Sequence, residues 1–94
     1  MQYDNLEQYE MLTMTDLGWN VVVHNDDVNT FQWVIECLVD VCQHTPIQAE
    51  QCAWIIHHKG KTSVKSGDIE KMQSIATALC DSGLSATLEE AVEA

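Results

Sequence analysis

Basic side chains are scarce. Four Lys and Arg stand against fifteen Asp and Glu in 94 residues, a formal net charge of -11. A phosphate-neutralising basic patch cannot be assembled from so few cations, which argues against nucleic acid and anionic membranes as partners. A surface this negative tolerates or attracts cations, ammonium groups among them, although excess charge commonly serves solubility alone. Proline occurs once and glycine four times, and 46% of residues are hydrophobic, so the composition is that of a folded chain rather than a disordered one. The four cysteines, Cys37, Cys42, Cys52 and Cys80, never fall in C-x-x-C spacing. That excludes the usual zinc ribbon and redox dithiol; all four lie in apolar stretches of helical period and read as packed free thiols of a reducing compartment. No segment reaches the ~20 apolar residues of a membrane span. The acidic start, with Tyr3, Asp4, Glu7 and Glu10, has neither the charge nor the apolar run of an export leader, so a cytoplasmic location is expected. The length allows one domain, with no room for a second catalytic unit.

Residues 1–17 are polar and acidic with little periodicity, and are expected to form a flexible tail ahead of a domain spanning 18–94. Trp19 to His24 is a β-branched run stopped by Asn25-Asp26-Asp27, residues whose side chains bond nearby backbone in turns. Phe31, Val34, Ile35, Leu38, Val39 and Cys42 recur at helical spacing, predicting a helix over about 30–43 with Asn29 or Thr30 as its cap. A second helix is signposted by Thr45, Pro46 and Gln48 at its start and Lys59-Gly60 at its end, with Ala49, Cys52, Ala53 and Ile56 as its apolar stripe. Lys61 to Lys65 reads as a short strand, and Ser66-Gly67-Asp68 as a turn and cap. A third helix carries Ile69, Met72, Ile75, Ala76 and Leu79 on one face and ends at Gly83; Ser85 to Leu88 follows as a last strand. The order β-α-α-β-α-β predicts an α/β (α+β) two-layer sandwich, three helices on one face of a small three-stranded sheet.

Polar groups concentrate in the turn His24-Asn25-Asp26-Asp27 and at His57-His58, the end of the second helix. If both helices cover the same sheet, topology allows these two places to share a cleft. A metal centre of His24, Asp26, His57 and His58 is disfavoured, because adjacent helical histidines project roughly 100° apart and lack the i, i+4 separation of helical zinc ligands. Catalysis needs a nucleophile beside a base, yet Cys52 and His57 are about 140° apart around the helix. No catalytic residue, metal or cofactor is expected. Taken alone, Asn25 and Asp26 read as a simple turn and His57 as a histidine facing the last helical carbonyls.

The ordered combination Val-Val-Val-His-Asn-Asp-Asp-x-Asn-Thr-Phe, an amphipathic helix, then Ala-Trp-Ile-Ile-His-His-Lys-Gly-Lys resembles the ClpS family of N-degron adaptors. The resemblance covers residues 19–61 and continues more weakly to Thr87-Leu88-Glu89. It implies a protein that captures substrates by a free α-amino group carried on a bulky apolar first residue, Leu, Phe, Trp or Tyr. It also implies delivery to the N-terminal domain of a Clp AAA+ unfoldase, aided by the tail. Carried over residue by residue, the α-amino cradle is Asn25, Asp26 and His57. Those residue types suit an ammonium, which offers three donors and a positive charge. It needs acceptors, here the Asn25 oxygen, the Asp26 carboxylate directly or through water, and a His57 ring nitrogen. The side-chain pocket maps to Asn29, Phe31, Val34, Leu38, Ala53 and Ile56. The unfoldase-facing surface maps to the start of the third helix, Asp68, Glu70 and Lys71.

Three positions depart from the family's common pattern: Phe31 and Ala53 stand where Met is usual, and Asn29 where Thr is. Met to Ala opens one wall while Phe31 stiffens another, so aromatic first residues are expected to bind at least as well as Leu. The competing reading is a non-degradative protein-interaction module on the same fold, including the ClpS-like domains of N-degron ubiquitin ligases; fold alone does not separate these. The retained Asn25, Asp26 and His57, together with the short chain, favour the adaptor.

Overall fold

The computed structural model describes residues 18–91. The expected tail, residues 1–17, lies outside the described residues. The elements run β1 (Trp19–His24), α1 (Phe31–Cys42), α2 (Pro46–Lys59), β2 (Lys61–Gly67), α3 (Ile69–Asp81) and β3 (Ser85–Glu90), the predicted order. The sheet is antiparallel with strand order β2-β1-β3. Its central strand β1 carries Val21, Val22 and Val23, all buried, as a strand flanked on both edges should.

Each helix begins where its sequence offers an oxygen to an orphan N–H. Thr30, not Asn29, caps α1, accepting from Trp33 N at 3.0 Å. Thr45 closes a capping box on α2: its hydroxyl accepts from Gln48 N, and the Gln48 side chain accepts from Thr45 N. Asp68 caps α3 by accepting from Lys71 N at 2.9 Å. At the far ends, Gln43 and Gly60 close α1 and α2 in left-handed conformations, and Gly83 follows the Ser82 cap of α3 with φ +95°.

Two expectations need correction. Strand β2 runs two residues beyond Lys65, because Ser66 and Gly67 pair with Asn20 and Trp19 instead of turning away. A register shift at Val21/Val22, where Lys65 and Ser63 are the partners, leaves Val64 as the extra residue of a bulge. Its carbonyl is taken by Nε2 of His44 at 2.8 Å, which makes the residue at the α1–α2 corner a buried bracket rather than a mere linker. The second correction concerns the thiols. Cys37 and Cys42 are buried and Cys52 partly so, but Cys80 is exposed, with its thiol donating to the Ala86 carbonyl at 3.3 Å.

The core lies between the sheet and the helices. Val21, Val23 and Val64 from the sheet meet Leu38, Cys42, Ala49, Ala53, Ile56, Met72 and Leu79 from the three helices. Burying each larger side chain contributes roughly 1.5–3 kcal/mol, which fixes α1 and α2 as a pair and sets their exposed ends relative to β1. No helix among the described residues is long and apolar enough to cross a membrane.

Candidate functional site

The polar site assembles where β1 ends and α2 ends. β1 pairs along its length with β2, and β2 begins directly after the α2 cap, so the two ends are neighbours by topology. One backbone bond makes the juxtaposition specific: Asn25 N donates to Gly60 O at 2.8 Å. Gly60 supplies that carbonyl from φ +102°, a region that disfavours a Cβ even though no atom would obstruct one. His57 lies three residues earlier, exposed in the last turn of α2, so Asn25 and His57 belong to one locality.

His57 is also part of an aromatic ridge. Its ring meets His58 edge-on, with centroids 4.9 Å apart, and His58 lies against Trp54 at 3.9 Å. Such contacts restrict the rotamers of both histidines. His24 is drawn the other way, its Nε2 bonding Thr87 Oγ1 at 2.9 Å on β3. Among the described residues no cluster of three or more candidate metal ligands forms, and His24, Asp26, His57 and His58 make no common coordination shell.

Asp26 folds its own loop. Oδ1 accepts from the backbone N–H groups of Val28 and Asn29, both at 2.9 Å, as an Asx turn demands. Oδ2 accepts from Asn29 Nδ2 at 2.9 Å and from the Ser85 hydroxyl at 3.2 Å. The Asn29 backbone N–H, chiefly, with the Asn29 side chain, the Val28 N–H and the Ser85 hydroxyl, holds the Asp26 carboxyl below its ordinary 3.8 against a smaller opposing effect of burial. A carboxylate offers about four lone-pair sites, and here four donors engage them. Asp26 therefore presents a fixed negative charge and a rigid loop, with no free acceptor in this conformation. The Asn25 side chain, by contrast, is exposed.

The six residues assigned to the side-chain pocket separate by depth. Phe31, the first residue of α1, is exposed and Asn29 half-buried, whereas Val34, Leu38, Ala53 and Ile56 are buried members of the core cluster on the facing sides of α1 and α2. The structure thus packs these four together in the core cluster and leaves Phe31 exposed. Asp68, Glu70 and Lys71 lie at the start of α3, with Glu70 and Lys71 exposed. Glu70 shares one outer face of α3 with Gln73, Ser74, Thr77 and Asp81, none of which belongs to the polar site.

Sequence reasoning missed Trp33, Ser82, Gly83 and Ser85. The Trp33 indole N–H donates to Ser82 O at 3.0 Å, and Asn29 Nδ2 donates to Gly83 O at 2.8 Å. These partners lie about fifty residues apart in the chain, and no local pattern marks them.

Comparison with known proteins agrees with this fold. Residues 14–87 match the family described as ATP-dependent Clp protease adaptor protein ClpS. The ATP-dependent Clp protease adapter protein ClpS of Streptomyces coelicolor is 30% identical over 87 residues, covering 93% of this chain and 91% of that protein. The Streptomyces avermitilis protein of the same name is also 30% identical over 87 residues, covering 93% and 83%. Among solved structures, Agrobacterium tumefaciens ClpS2 bound to L-phenylalaninamide superposes with a TM-score of 0.73 at 21% identity, covering 76% of this chain and 93% of that one. The fold, the extent of the match and the coverage of these relatives together mean that the chain belongs to the ClpS family of ATP-dependent Clp protease adaptors.

Proposed function

We propose that this adaptor captures proteins by a free N-terminal residue with a bulky apolar side chain, Phe, Tyr, Trp or Leu, and passes them to the N-terminal domain of a Clp AAA+ unfoldase. The observation that carries the reading is the Asn25–Gly60 backbone bond, which sets the exposed Asn25 amide beside the turn of α2 that bears His57. In this reading the Asn25 side-chain oxygen and a His57 ring nitrogen accept from the ammonium, and the Asp26 charge lies behind them. Charge-assisted hydrogen bonds contribute roughly 1.5–3 kcal/mol each, and an internal peptide amide cannot supply them. The first side chain enters past Phe31 and Asn29 onto Val34, Leu38, Ala53 and Ile56. Because those four are packed in the core, entry of a ring requires α1 and α2 to yield locally. The ligand of Agrobacterium tumefaciens ClpS2, L-phenylalaninamide, has the chemistry expected here, a free amino group beside an aromatic side chain. The start of α3, Asp68, Glu70 and Lys71, is the surface assigned to the unfoldase.

The test is a fluorescence titration with two peptides beginning with Phe, one free and one N-acetylated. The free peptide is expected to bind and the acetylated one to be rejected by about tenfold or more, the loss of charge-assisted bonding. Equal affinities, or no binding by either, overturn the reading.

A further inference from the structure

We infer that Asn29 is a positioning residue of the amino-terminus site: its side-chain amide bridges the Asp26 carboxylate and the Gly83 carbonyl, so that the turn between α3 and β3 sets the binding loop. The inference rests on the proposed amino-terminus reading and adds to it a control from outside the pocket.

A side-chain amide has two N–H donors. In Asn29 one points to Asp26 Oδ2 at 2.9 Å and the other to Gly83 O at 2.8 Å. A Thr in its place would have a single O–H and could not bridge both. Gly83 offers its carbonyl from φ +95°, a conformation that L side chains rarely adopt, although a Cβ there would meet Asn29 Oδ1 only at 3.7 Å.

Two further bonds run between the same parts. Ser85 Oγ donates to Asp26 Oδ2 at 3.2 Å, and Trp33 Nε1 donates to Ser82 O at 3.0 Å. Carbonyls at a helix C-terminus have no partner within the helix and carry the negative end of its dipole. Here the Ser82 and Gly83 carbonyls just past α3 are taken by side chains of the loop and of the first turn of α1, the segments that bear Asp26 and Phe31. A disturbance of the turn is therefore transmitted to the loop through directed bonds, and removal of the Asn29 amide releases Asp26 from one donor while freeing the loop from its anchor.

The test uses the full chain and its Asn29→Ala and Ser85→Ala variants. Three quantities are read: affinity for the free and N-acetylated Phe peptides, the thermal midpoint, and the titration of the Asp26 carboxyl followed by NMR. Asn29→Ala is expected to weaken the free peptide about tenfold and to move the Asp26 midpoint up toward its ordinary value. Ser85→Ala, which removes one exposed hydroxyl, moves both in the same direction by less and keeps the test open if Asn29→Ala does not fold. Unchanged affinity in the variants, while the wild type still discriminates free from acetylated peptide, overturns the inference. Weakened binding with an unmoved Asp26 titration also overturns it, because Asn29 would then act by touching the peptide. A wild type that fails to discriminate overturns the amino-terminus reading itself, and this inference with it.

Discussion

The backbone N–H of Asn25 meets the carbonyl of Gly60 at 2.8 Å, joining the residue after β1 to the residue after α2. Gly60 holds its carbonyl there from φ +102°, and a Cβ added to it would meet no atom within 4 Å. Substitution with Ala is therefore a backbone experiment free of steric clash. Gly60→Ala should cost about 1–2 kcal/mol in chemical denaturation. It should weaken the free Phe peptide as well, whereas Glu50→Ala, exposed near the opposite end of α2, should leave binding within about twofold, as a surface change away from the site does.

The proposed reading gives the His57 ring the role of an acceptor. His57→Ala and Asn25→Ala should each weaken the free Phe peptide by roughly ten- to a hundredfold and leave the acetylated peptide unaffected, the loss of one charge-assisted bond. Peptide titrations by fluorescence anisotropy measure this directly.

Acidification should loosen the loop after β1, because Asp26 accepts its four bonds in full only while its carboxyl is ionised. Its carboxyl in the folded chain is held below 3.8, so its contribution is complete above the ordinary value and disappears only as pH falls through the lower folded value. Denaturation midpoints measured against pH should thus show an acid limb in the wild type that is shallower in Asp26→Ala; an identical limb in both contradicts the assignment.

In the proposed reading, exposed Phe31 and buried Ala53 bear on which first residue is preferred. Peptides beginning with Phe, Tyr or Trp should bind at least as tightly as one beginning with Leu, and an advantage for Leu of about tenfold would exclude the expectation. Ala53 is 2% exposed, so a Met at this position adds a longer side chain to a filled space. Ala53→Met should lower stability by about 1–3 kcal/mol, read from denaturant midpoints, and should penalise Trp more than Leu as first residue.

The thiols should react in the order of their exposure. Cys80 is exposed and Cys52 partly so, while burial pushes the Cys42 thiol up to about 11, with nearby Lys65 only partly offsetting it. Burial also raises Cys37 and Cys52. Alkylation of the native protein followed by mass spectrometry should label Cys80 first and Cys42 only on unfolding.

The elements and their order were legible in the sequence because the signals for them are local. Thr45-Pro46-x-Gln48 specifies a helix start within one turn, the Val21-Val22-Val23 run a central strand, and Asn25-Asp26-Asp27 a turn. Asn25, Asp26 and His57 were singled out through the resemblance to the ClpS family, because by residue type alone they read as a turn and a helix end. How those ends are held was fixed by tertiary packing alone. The bulge at Val64 lengthens β2 and gives His44 its partner, and the Asn29 amide finds Gly83, 54 residues away. Such bonds depend on packing α3 and β3 against the rest of the chain, and a side-chain donor carries no sequence signature of the distant carbonyl it will meet.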